Sequence, residues 1–558
     1  MPLSGPSVRL VALVGVPRNH GPEHIGRLVV SEFGMGGRGS IAFMIIPLRW
    51  IRSSGGWLPA FGVVLLLGYL GWLLRLSCGA YEIGGDEGME LAKACLLQHH
   101  PELVDRSWND QPWLFTRWLV GVGGDAFGGR LLVGTLSLVG LLSLSAIAGK
   151  DSLAAGVMAP ALMLLWPKSP ELSLSAMLEW PAWCCGLLSA ALLPAHSSLG
   201  RRWRIAAAGG VLAVAAGLKL TALILGPALL ARWWVGRKEP GSRSLGTTSG
   251  GCRNAAAELG IACGAFLLVS LILLATGPRH DASVMWASHA TTRNHPEAVS
   301  KAVDLGAITQ GSPGMMLGAA LGLVHLILQR AWQSMAFPIV LFTTVLVTHL
   351  YHRPFWWYYG MHFGVAVSLL AAIGIPAAIR RYRTATRAEK TSRAEAWMLA
   401  GSGAIAMIAA VELPRHFSEI QVLSRSRKIH ESSLVQTARN YARPGDWAFA
   451  STSELFHHVG VAQPPEITIV PLKRFWNGSI SRKAIVEVVR RYECSMLLLR
   501  EDPDLKLPEW QSLLAEDYVA THSDRFQTLF VHRRMNPTRV EPSGDWQRRL
   551  GVTMEARP

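Results

Sequence analysis

Two adjacent carboxylates stand at the start of a short amphipathic stretch, directly after the first long apolar segment of the chain. The stretch from Tyr81 to His100 reads YEIGGDEGMELAKACLLQHH and places the pair at Asp86 and Glu87. A carboxylate within hydrogen-bonding reach of a substrate hydroxyl can accept its proton as a general base. Asp is also a favoured helix N-cap, and that role needs no substrate. The residues alone leave both interpretations of Asp86 open.

Two further charged residues lie where water is scarce. Glu179, in the run SLSAMLEWPAWCCGLL, lies inside a predicted membrane span, and Lys219 interrupts the apolar run GLKLTALILGPALL. A charge at this depth is costly unless it is paired or faces a polar cavity. Glu179 could therefore pair with an Arg or reach a substrate pocket. Lys219 could bind an anion, or it could extend its side chain to the membrane surface.

The composition places these residues in a membrane protein. Of the 558 residues 50% are hydrophobic and 16% are charged, and the mean hydropathy is +0.27. The 21 tryptophans fit this class, because Trp favours the membrane–water interface. The formal net charge of +16 is concentrated in short loops between apolar segments. It therefore indicates membrane orientation rather than binding to nucleic acid.

The apolar segments predict a mainly α-helical, polytopic membrane protein of about eleven transmembrane helices. Basic loops are assigned to the cytoplasm by the positive-inside rule. The N-terminus is then cytoplasmic, and the loop 79–127, the loop 278–312 and all residues after 413 lie outside. The predicted spans are 57–77, 128–148, 152–167, 172–194, 205–217, 219–234, 256–276, 313–329, 335–351, 356–378 and 396–412.

The stretch 205–231 is informative because both of its flanks are strongly basic. The chain must therefore cross the membrane an even number of times between them. Two short helices fit this requirement better than one long helix. Their turn falls at Gly217-Leu218-Lys219 and brings Lys219 to the outer surface.

The two ends of the chain differ from its apolar centre. Residues 1–42 are predicted to be a disordered leader or the product of a mis-assigned start, and 43–413 form the membrane domain. Beyond them, the strand patterns DWAFAS, ITIVPL, CSMLLLR and RFQTLFVH alternate with the helical patterns SLVQTARNYAR and SRKAIVEVVRRY. This alternation predicts a small extracytoplasmic α/β domain over 414–535, followed by a disordered tail over 536–558.

An ordered set of motifs resembles a known family. The first apolar span is followed by GGDEGMELAKA, WNDQPWLFTRWL and GGRLLVGTLSLVGLL, and later by GLKLTALILGPALL and LYHRPFWWYYGMHF. The set resembles the polyprenyl-phosphate-sugar glycosyltransferases of the GT-C superfamily, in the branch of the protein O-mannosyltransferases and the aminoarabinose transferases of lipid A. The resemblance covers residues 57–412. Trp113 departs from it, since the family has a second proline there.

The resemblance implies an integral membrane enzyme that transfers a sugar from a polyprenyl-phosphate carrier to an acceptor hydroxyl, on the outer face of the plasma (inner) membrane. The candidate catalytic residues are Asp86, as general base, and the adjacent Glu87. Direct displacement by a single base would invert the anomeric centre. Cationic residues would hold the lipid phosphate. The candidate substrate-binding residues are Asp110, Arg130, Glu179, Lys219, Arg293, Arg353, Tyr358 and His362.

Other interpretations stand beside this one. A polytopic transporter or a flippase for lipid-linked glycans would also have many spans and charges at depth, but it would not explain the acidic outer loop. Tyr358 could be an interfacial aromatic residue without a role in catalysis. No cofactor is predicted: the outer histidines have no standard ligand spacing, although related oligosaccharide-transferring enzymes do use a divalent ion. The sequence determines neither the sugar nor whether the acceptor is protein, lipid or glycan.

Overall fold

Helices make up most of the chain. The computed structural model describes residues 57–80, 83, 86–193, 200–236, 249–277, 290–292, 295–384, 392–426, 428–451, 455–500, 507–523 and 527–536. The predicted leader 1–42 and nearly all of the predicted tail 536–558 lie outside the described residues. The described helices are α1 (Trp57–Ser77), α2 (Glu87–His99), α3 (Leu114–Gly121), α4 (Ala126–Ala148), α5 (Leu153–Leu164), α6 (Ser169–Leu172), α7 (Glu179–Leu192), α8 (Arg201–Leu218), α9 (Gly226–Gly236), α10 (Ser249–Thr276), α11 (Pro296–Ser300), α12 (Leu305–Gly311), α13 (Pro313–Leu328), α14 (Trp332–Tyr351), α15 (Gly360–Thr384), α16 (Ser392–Met407), α17 (Leu413–Ser424), α18 (Ser433–Tyr441), α19 (Leu472–Trp476), α20 (Arg482–Arg491) and α21 (Pro508–Asp517).

Five helical segments in the described chain are long and apolar enough to cross a membrane, and α12 with α13, bent by 96°, could form a sixth span. Every predicted span overlaps a helix, but the predicted number of about eleven spans is not confirmed. The reason is length: α5 has 12 residues, and a helix that short spans about 18 Å of a hydrocarbon layer of about 30 Å. The five segments are Ala126–Ala148, Arg253–Thr276, Trp332–Tyr351, Trp357–Arg381 and Glu395–Ser424.

The core of the membrane part is built around α15. In the most apolar stretch of Trp357–Arg381, 89% of the residues are buried, whereas none is fully buried in that of Arg253–Thr276, which lies at the periphery. Glycines allow α13 and α15 to pack backbone against backbone, because a Cβ at Gly322 would clash with the carbonyl oxygen of Leu370. Gly374 faces the backbone of Gly322 in the same contact. Close approach through small residues is a common means of packing helices in membranes.

The chain leaves the helical conformation at Lys219, where loop charges predict a turn. Helix α8 ends at Leu218, Lys219 is extended with φ −154° and ψ 132°, and a 3-10 helix follows over Leu220–Leu225. Helix α9 then begins at Gly226. The extended residue turns the lysine side chain out of the helix ladder and into the interior of the protein, where it is buried.

The C-terminal part contains a four-stranded sheet of β1 (Ala448–Ala450), β2 (Met496–Arg500), β3 (Tyr518–Ser523) and β4 (Gln527–His532). The order is β1-β2-β4-β3, with β1 parallel to β2 and β4 antiparallel to both of its neighbours. Strand β2 is apolar along most of its length because both of its faces are covered. Residues of α20 and α21 pack on one face and residues of α18 on the other.

The small C-terminal sheet predicted from the sequence is confirmed, with two differences in its strands. ITIVPL is not a strand: a 3-10 turn covers Pro465–Ile467 and α19 begins at Leu472. Pro464, Pro465 and Pro471 explain the difference, since each lacks the N–H that a ladder needs. Strand β3 was not predicted. The predicted boundary at residue 413 falls inside the helical segment Glu395–Ser424.

The contact between α13 and α15 gives a test of the core. Gly322→Ala should lower stability by about 1–3 kcal/mol or more, because the new Cβ meets backbone that cannot move aside. Gly68→Ala is the matched control, since nothing lies within 4 Å of a Cβ there, and Ala favours a helix over Gly by about 0.5–1 kcal/mol. Melting temperatures of the two variants in lipid nanodiscs should shift in opposite directions. An unchanged melting temperature for Gly322→Ala would show that the helices do not pack this closely.

Candidate active site

A cavity of about 340 Å³ lies between the loop 79–127, which the loop charges predict to be the first outer loop, the ends of the membrane helices and the C-terminal domain. Its walls combine acidic, basic and aromatic side chains, as in a site that binds a polar ligand. The lining residues are Asp86, Met89, Glu90, Lys93, Asp110, Gln111, Met177, Leu178, Glu179, Lys219, Thr292, His352, Pro354, Trp356, Trp357, Tyr358, Tyr359, Ile469, Pro471, Leu472 and Lys473.

A buried ion pair anchors the helix that carries the adjacent carboxylates. Glu87 binds Arg130 in a bidentate manner, with Nε to Oε1 at 3.0 Å and a terminal nitrogen to Oε2 at 2.7 Å. The same carboxylate accepts hydrogen bonds from the backbone N–H groups of Ile83 and Ala176. Both side chains of the pair are only 1% exposed. Glu87 is therefore fully engaged in holding α2 to the start of α4.

Arg130 extends this anchor to the end of the first helix. Its second terminal nitrogen donates to the backbone carbonyls of Ser77 at 3.1 Å and Ala80 at 2.9 Å. Because the guanidinium is a rigid fork with five donors, one side chain can join three chain segments at once.

Asp86 occupies the N-cap position of α2, but its side chain makes no capping hydrogen bond. Its carboxylate instead lines the cavity, within electrostatic reach of Lys219 and Lys473. Among the described residues, none donates a hydrogen bond to this carboxylate. An ionised carboxylate placed in this way has free lone pairs with which to accept a proton.

Glu179 is the centre of a second buried network, at the start of α7. It forms an ion pair with Lys219, and the hydroxyl of Thr221 donates to its Oε1 at 2.6 Å. Glu179 thus has a charged partner, which is Lys219 and not an Arg, and both residues also line the cavity. Pairing removes much of the cost of placing either charge away from water.

Two histidines extend the network behind Glu179. His362 Nε2 lies 2.7 Å from Glu179 Oε1, and His362 Nδ1 lies 2.9 Å from His349 Nε2. An ionised carboxylate only accepts, so His362 carries its proton on Nε2 and its Nδ1 accepts from His349. Trp183 stacks on His362 with ring centroids 4.1 Å apart. The imidazole is therefore fixed in one orientation, which in turn orients Glu179 and Lys219.

Aromatic rings complete the wall beside the lysine. The Nζ atom of Lys219 lies 5.1 Å from the ring centre of Tyr358 and 5.7 Å from that of Tyr359. These distances fall within the range of cation–π contacts. Tyr358 is thus a buried cavity residue rather than an aromatic residue at the membrane surface.

The C-terminal domain forms part of the cavity wall. The ammonium group of Lys473 forms an ion pair with Asp110 in the first outer loop, and it lies 5.4 Å from the ring centre of Trp108. Burial lowers the pKa of Lys473 to about 7, and the nearby carboxylates of Asp86 and Glu90 oppose this change. The domain also contacts the same loop through Arg106 and Glu466, whose charged atoms are 2.5 Å apart.

The predicted site residues separate into three groups. The cavity wall contains Asp86, Asp110, Glu179, Lys219 and Tyr358, and His362 stands directly behind Glu179. Glu87 and Arg130 do not line the cavity. They were expected to contact substrate, but in the structure they are buried and paired with each other. Arg353 is half-buried and does not line the cavity. Arg293 lies outside the described residues.

Several cavity residues were not among the candidates from the sequence. Lys93 is held by Glu90, with Nζ to Oε1 at 2.7 Å, and Lys473 reaches the cavity from the distant C-terminal domain. Lys93 follows Glu90 by three residues on α2, a spacing that places both side chains on one face. That spacing could have identified the pair. Nothing in the local sequence distinguishes Lys473 from other surface lysines.

No metal centre is evident in the part of the chain that the structure describes, where no three His, Cys, Asp or Glu side chains cluster to hold an ion. The wall instead offers a carboxylate with free lone pairs beside a lysine that is oriented by other groups. This combination can accept a proton at one point and bind an anion at another.

The sequence matches no protein-family model, and a search of curated proteins found no match. Solved structures do show similarity. ArnT from Cupriavidus metallidurans bound to undecaprenyl phosphate superposes with a TM-score of 0.54 at 12% identity, covering 86% of this chain and 98% of that chain. The apo state of the same protein superposes with a TM-score of 0.53 at 12% identity, covering 84% of this chain and 97% of that chain. The Archaeoglobus fulgidus oligosaccharyltransferase in the apo form has a TM-score of 0.46 at 8% identity, covering 84% of this chain and 74% of that chain.

The similarity to ArnT shows the fold. It extends over 98% of that chain. The fold that the sequence resemblance implies is therefore confirmed.

The anchor of α2 can be tested with a substitution that keeps the charge. Arg130→Lys should lower the melting temperature, because lysine cannot make the forked contact with Glu87 and also reach two carbonyls; each charged hydrogen bond contributes about 1.5–3 kcal/mol. Arg202→Lys, at an exposed position in α8, is the control and should leave the melting temperature unchanged. If Arg130→Lys changed substrate affinity at unaltered stability, Arg130 would be a substrate ligand and not an anchor.

The network around Glu179 predicts a non-additive double-mutant cycle. Lys219→Met should cost about 3–5 kcal/mol, since it leaves a buried carboxylate without its counter-ion. Glu179→Gln combined with Lys219→Met removes both charges and should cost less than the lysine substitution alone. Thermal unfolding of the native protein, the two single variants and the double variant measures the coupling. Strictly additive changes would mean that the two charges do not depend on each other.

Proposed function

We propose that this protein is an integral membrane glycosyltransferase that moves a sugar from a polyprenyl-phosphate carrier to an acceptor hydroxyl, with Asp86 as general base. The observation that carries the proposal is the position of Asp86. It stands at the N-cap without capping the helix, and its carboxylate faces a cavity that also contains Lys219. A base and an anion-binding lysine in one small cavity are what transfer from a lipid phosphate requires.

The reaction needs few components. The acceptor oxygen attacks the anomeric carbon and forms the new glycosidic bond while its proton passes to Asp86. The bond between the anomeric carbon and the phosphate oxygen breaks, and its electron pair stays on the phosphate. The leaving group therefore gains negative charge, which a nearby ammonium stabilises in a site of low dielectric. A single displacement of this kind inverts the anomeric centre.

Lys219 is suited to the phosphate because its position is fixed. Glu179 and two tyrosine rings surround it, and His362 holds Glu179 in turn. An ammonium that is oriented before the substrate arrives loses little entropy on binding. Lys219, Glu179 and Tyr358 thus form the donor side of the proposed site, and Asp86 and Asp110 line the same cavity.

The comparison with ArnT supports the class of donor. That protein has the same fold and was crystallised with undecaprenyl phosphate. A membrane-embedded chain with a polar cavity next to its apolar helices can receive a carrier whose lipid tail stays in the bilayer. The cavity lies on the side of the C-terminal domain, which the loop charges assign to the outer face of the plasma (inner) membrane.

The base assignment predicts the effect of one substitution. Asp86→Asn should reduce sugar transfer by roughly 10²–10⁴-fold, the usual contribution of a general base, while leaving the melting temperature unchanged. Asp105→Asn makes the same chemical change at an exposed position of the same loop and should retain activity. The measurement follows sugar release from a panel of radiolabelled polyprenyl-phosphate sugars, with protein, lipid and glycan acceptors present.

Two results would count against this proposal. Equal turnover by the native protein and Asp86→Asn would place the base elsewhere. A native protein that consumes no donor of the panel, yet exchanges polyprenyl-linked sugars between the two leaflets of a vesicle, would be a flippase.

A further inference from the structure

The C-terminal domain contributes directly to the wall of the cavity. Its segment Ile469–Lys473 provides four of the lining residues, at the transition from an irregular stretch into α19. The same cavity holds Asp86 and Lys219, which belong to the membrane part. The wall is therefore shared between two regions that are distant in sequence.

The segment is held rigidly on the first outer loop. Arg474, the neighbour of Lys473, is buried and donates to the backbone carbonyls of Glu466 and Ile469, both at 2.8 Å. Its guanidinium also lies 5.1 Å from the ring centre of Trp108. These contacts fix the backbone from which Lys473 extends, so its ammonium group reaches the cavity at a defined point.

A second set of contacts fixes the domain as a whole. His100, at the end of α2, stacks on Trp447 with ring centroids 4.2 Å apart. On the opposite side, His295 stacks on Trp476 at 5.2 Å, and the Lys301 ammonium lies 5.5 Å from the same indole ring. The domain thus rests on both outer loops, and Trp476 belongs to the same short helix as Lys473.

The charges of the cavity leave room for an anion near Lys473. The described lining includes four carboxylates and three lysines, and each lysine forms an ion pair with a carboxylate other than Asp86. The side chain of Lys473 is 23% exposed, compared with 9% for Lys219 and 1% for Lys93. An ammonium has three N–H donors, and one contact with Asp110 does not use them all.

The position relative to Asp86 gives this lysine a specific role. Asp86, Lys219 and Lys473 line one cavity. In the proposed reaction both ammonium groups can therefore lie close to the phosphate as the sugar leaves it. A phosphate diester has one negative charge, and the product monoester gains a second as the glycosidic bond breaks. Two lysines stabilise the doubly charged product phosphate better than one lysine does, because the second ammonium compensates the negative charge that develops during the reaction.

We propose that Lys473 is a ligand of the donor phosphate, acting together with Lys219, and that the C-terminal domain is part of the active site. The inference rests on the proposed function, since it names a further residue for the same reaction. Asp110 is then a positioning residue: its carboxylate holds the Lys473 ammonium at the cavity wall, and the remaining N–H groups of that ammonium bind phosphate oxygens.

The test measures binding of undecaprenyl phosphate by the full-length protein in lipid nanodiscs. Lys473→Met should raise the Kd for undecaprenyl phosphate by about tenfold or more, the factor expected for loss of one charged contact. Lys473→Arg keeps the charge and should stay within about threefold of the native protein. Lys483→Met is the control, because Lys483 is exposed on α20 of the same domain, and it should bind as the native protein does.

Two further readouts separate a substrate ligand from a structural residue. Lys473→Arg keeps the ion pair with Asp110 and should melt at the native temperature, whereas Lys473→Met leaves the buried Asp110 carboxylate without its counter-ion and should melt lower. Binding is therefore compared below the melting temperature of every variant, and Lys473→Gln replaces Lys473→Met if the latter does not fold. With an active donor, Lys473→Met should lower kcat as well as raise KM, because the contact strengthens as the leaving group gains charge.

The outcomes distinguish this inference from the proposed function. If the native protein binds undecaprenyl phosphate and Lys473→Met binds it equally well, Lys473 is not a phosphate ligand, although the function can still hold. If Lys473→Met and Lys483→Met weaken binding to the same extent, the effect is one of general surface charge and the inference is wrong. If the native protein does not bind undecaprenyl phosphate at all, both proposals fail together.

Discussion

The buried contact between Glu87 and Arg130 determines where the cavity residues can lie. It joins the end of α1, the start of α2 and the start of α4, and through the N–H of Ala176 it reaches the segment before α7. Asp86 precedes Glu87 in the chain, so fixing one carboxylate fixes the other. The adjacent pair thus divides two tasks: Glu87 is fully paired and anchors the helix, and Asp86 keeps its lone pairs for the cavity.

The second requirement is that each lysine of the described cavity wall has a carboxylate partner. Lys219 meets Glu179, Lys93 meets Glu90 and Lys473 meets Asp110. Paired charges of this kind contribute little net stability, because the attraction is offset by lost hydration. Their value lies in orientation: each ammonium has a fixed position before any ligand is present. The histidines behind Glu179 extend the same principle into the apolar core, where His362 stacks on Trp183.

Much of the architecture could be predicted from the sequence, and the reasons for success and failure are physical. Basic flanks around 205–231 predicted the break at Lys219, since charge governs how often a chain crosses the bilayer. Asp86 was identifiable from its place after an apolar span. The partnership of Glu87 with Arg130 was not, because 43 residues separate the two and nothing local links them. The same holds for Lys473 and Asp110. Proline content could have excluded a strand over ITIVPL, whereas the mixed sequence YVATHS gives no clear alternation for β3.

The domain contacts have a consequence for how the protein is made. Asp86 and Lys219 emerge from the ribosome early, and they can adopt their places as soon as the helices around them insert into the bilayer. The segment Ile469–Lys473 is synthesised after the helical segment Glu395–Ser424, and it must fold before it can meet Trp108 and Asp110. A chain halted before this segment therefore lacks one part of the cavity wall. Completion of the wall follows the synthesis of all the membrane helices, so an immature chain cannot form the same site as the finished protein.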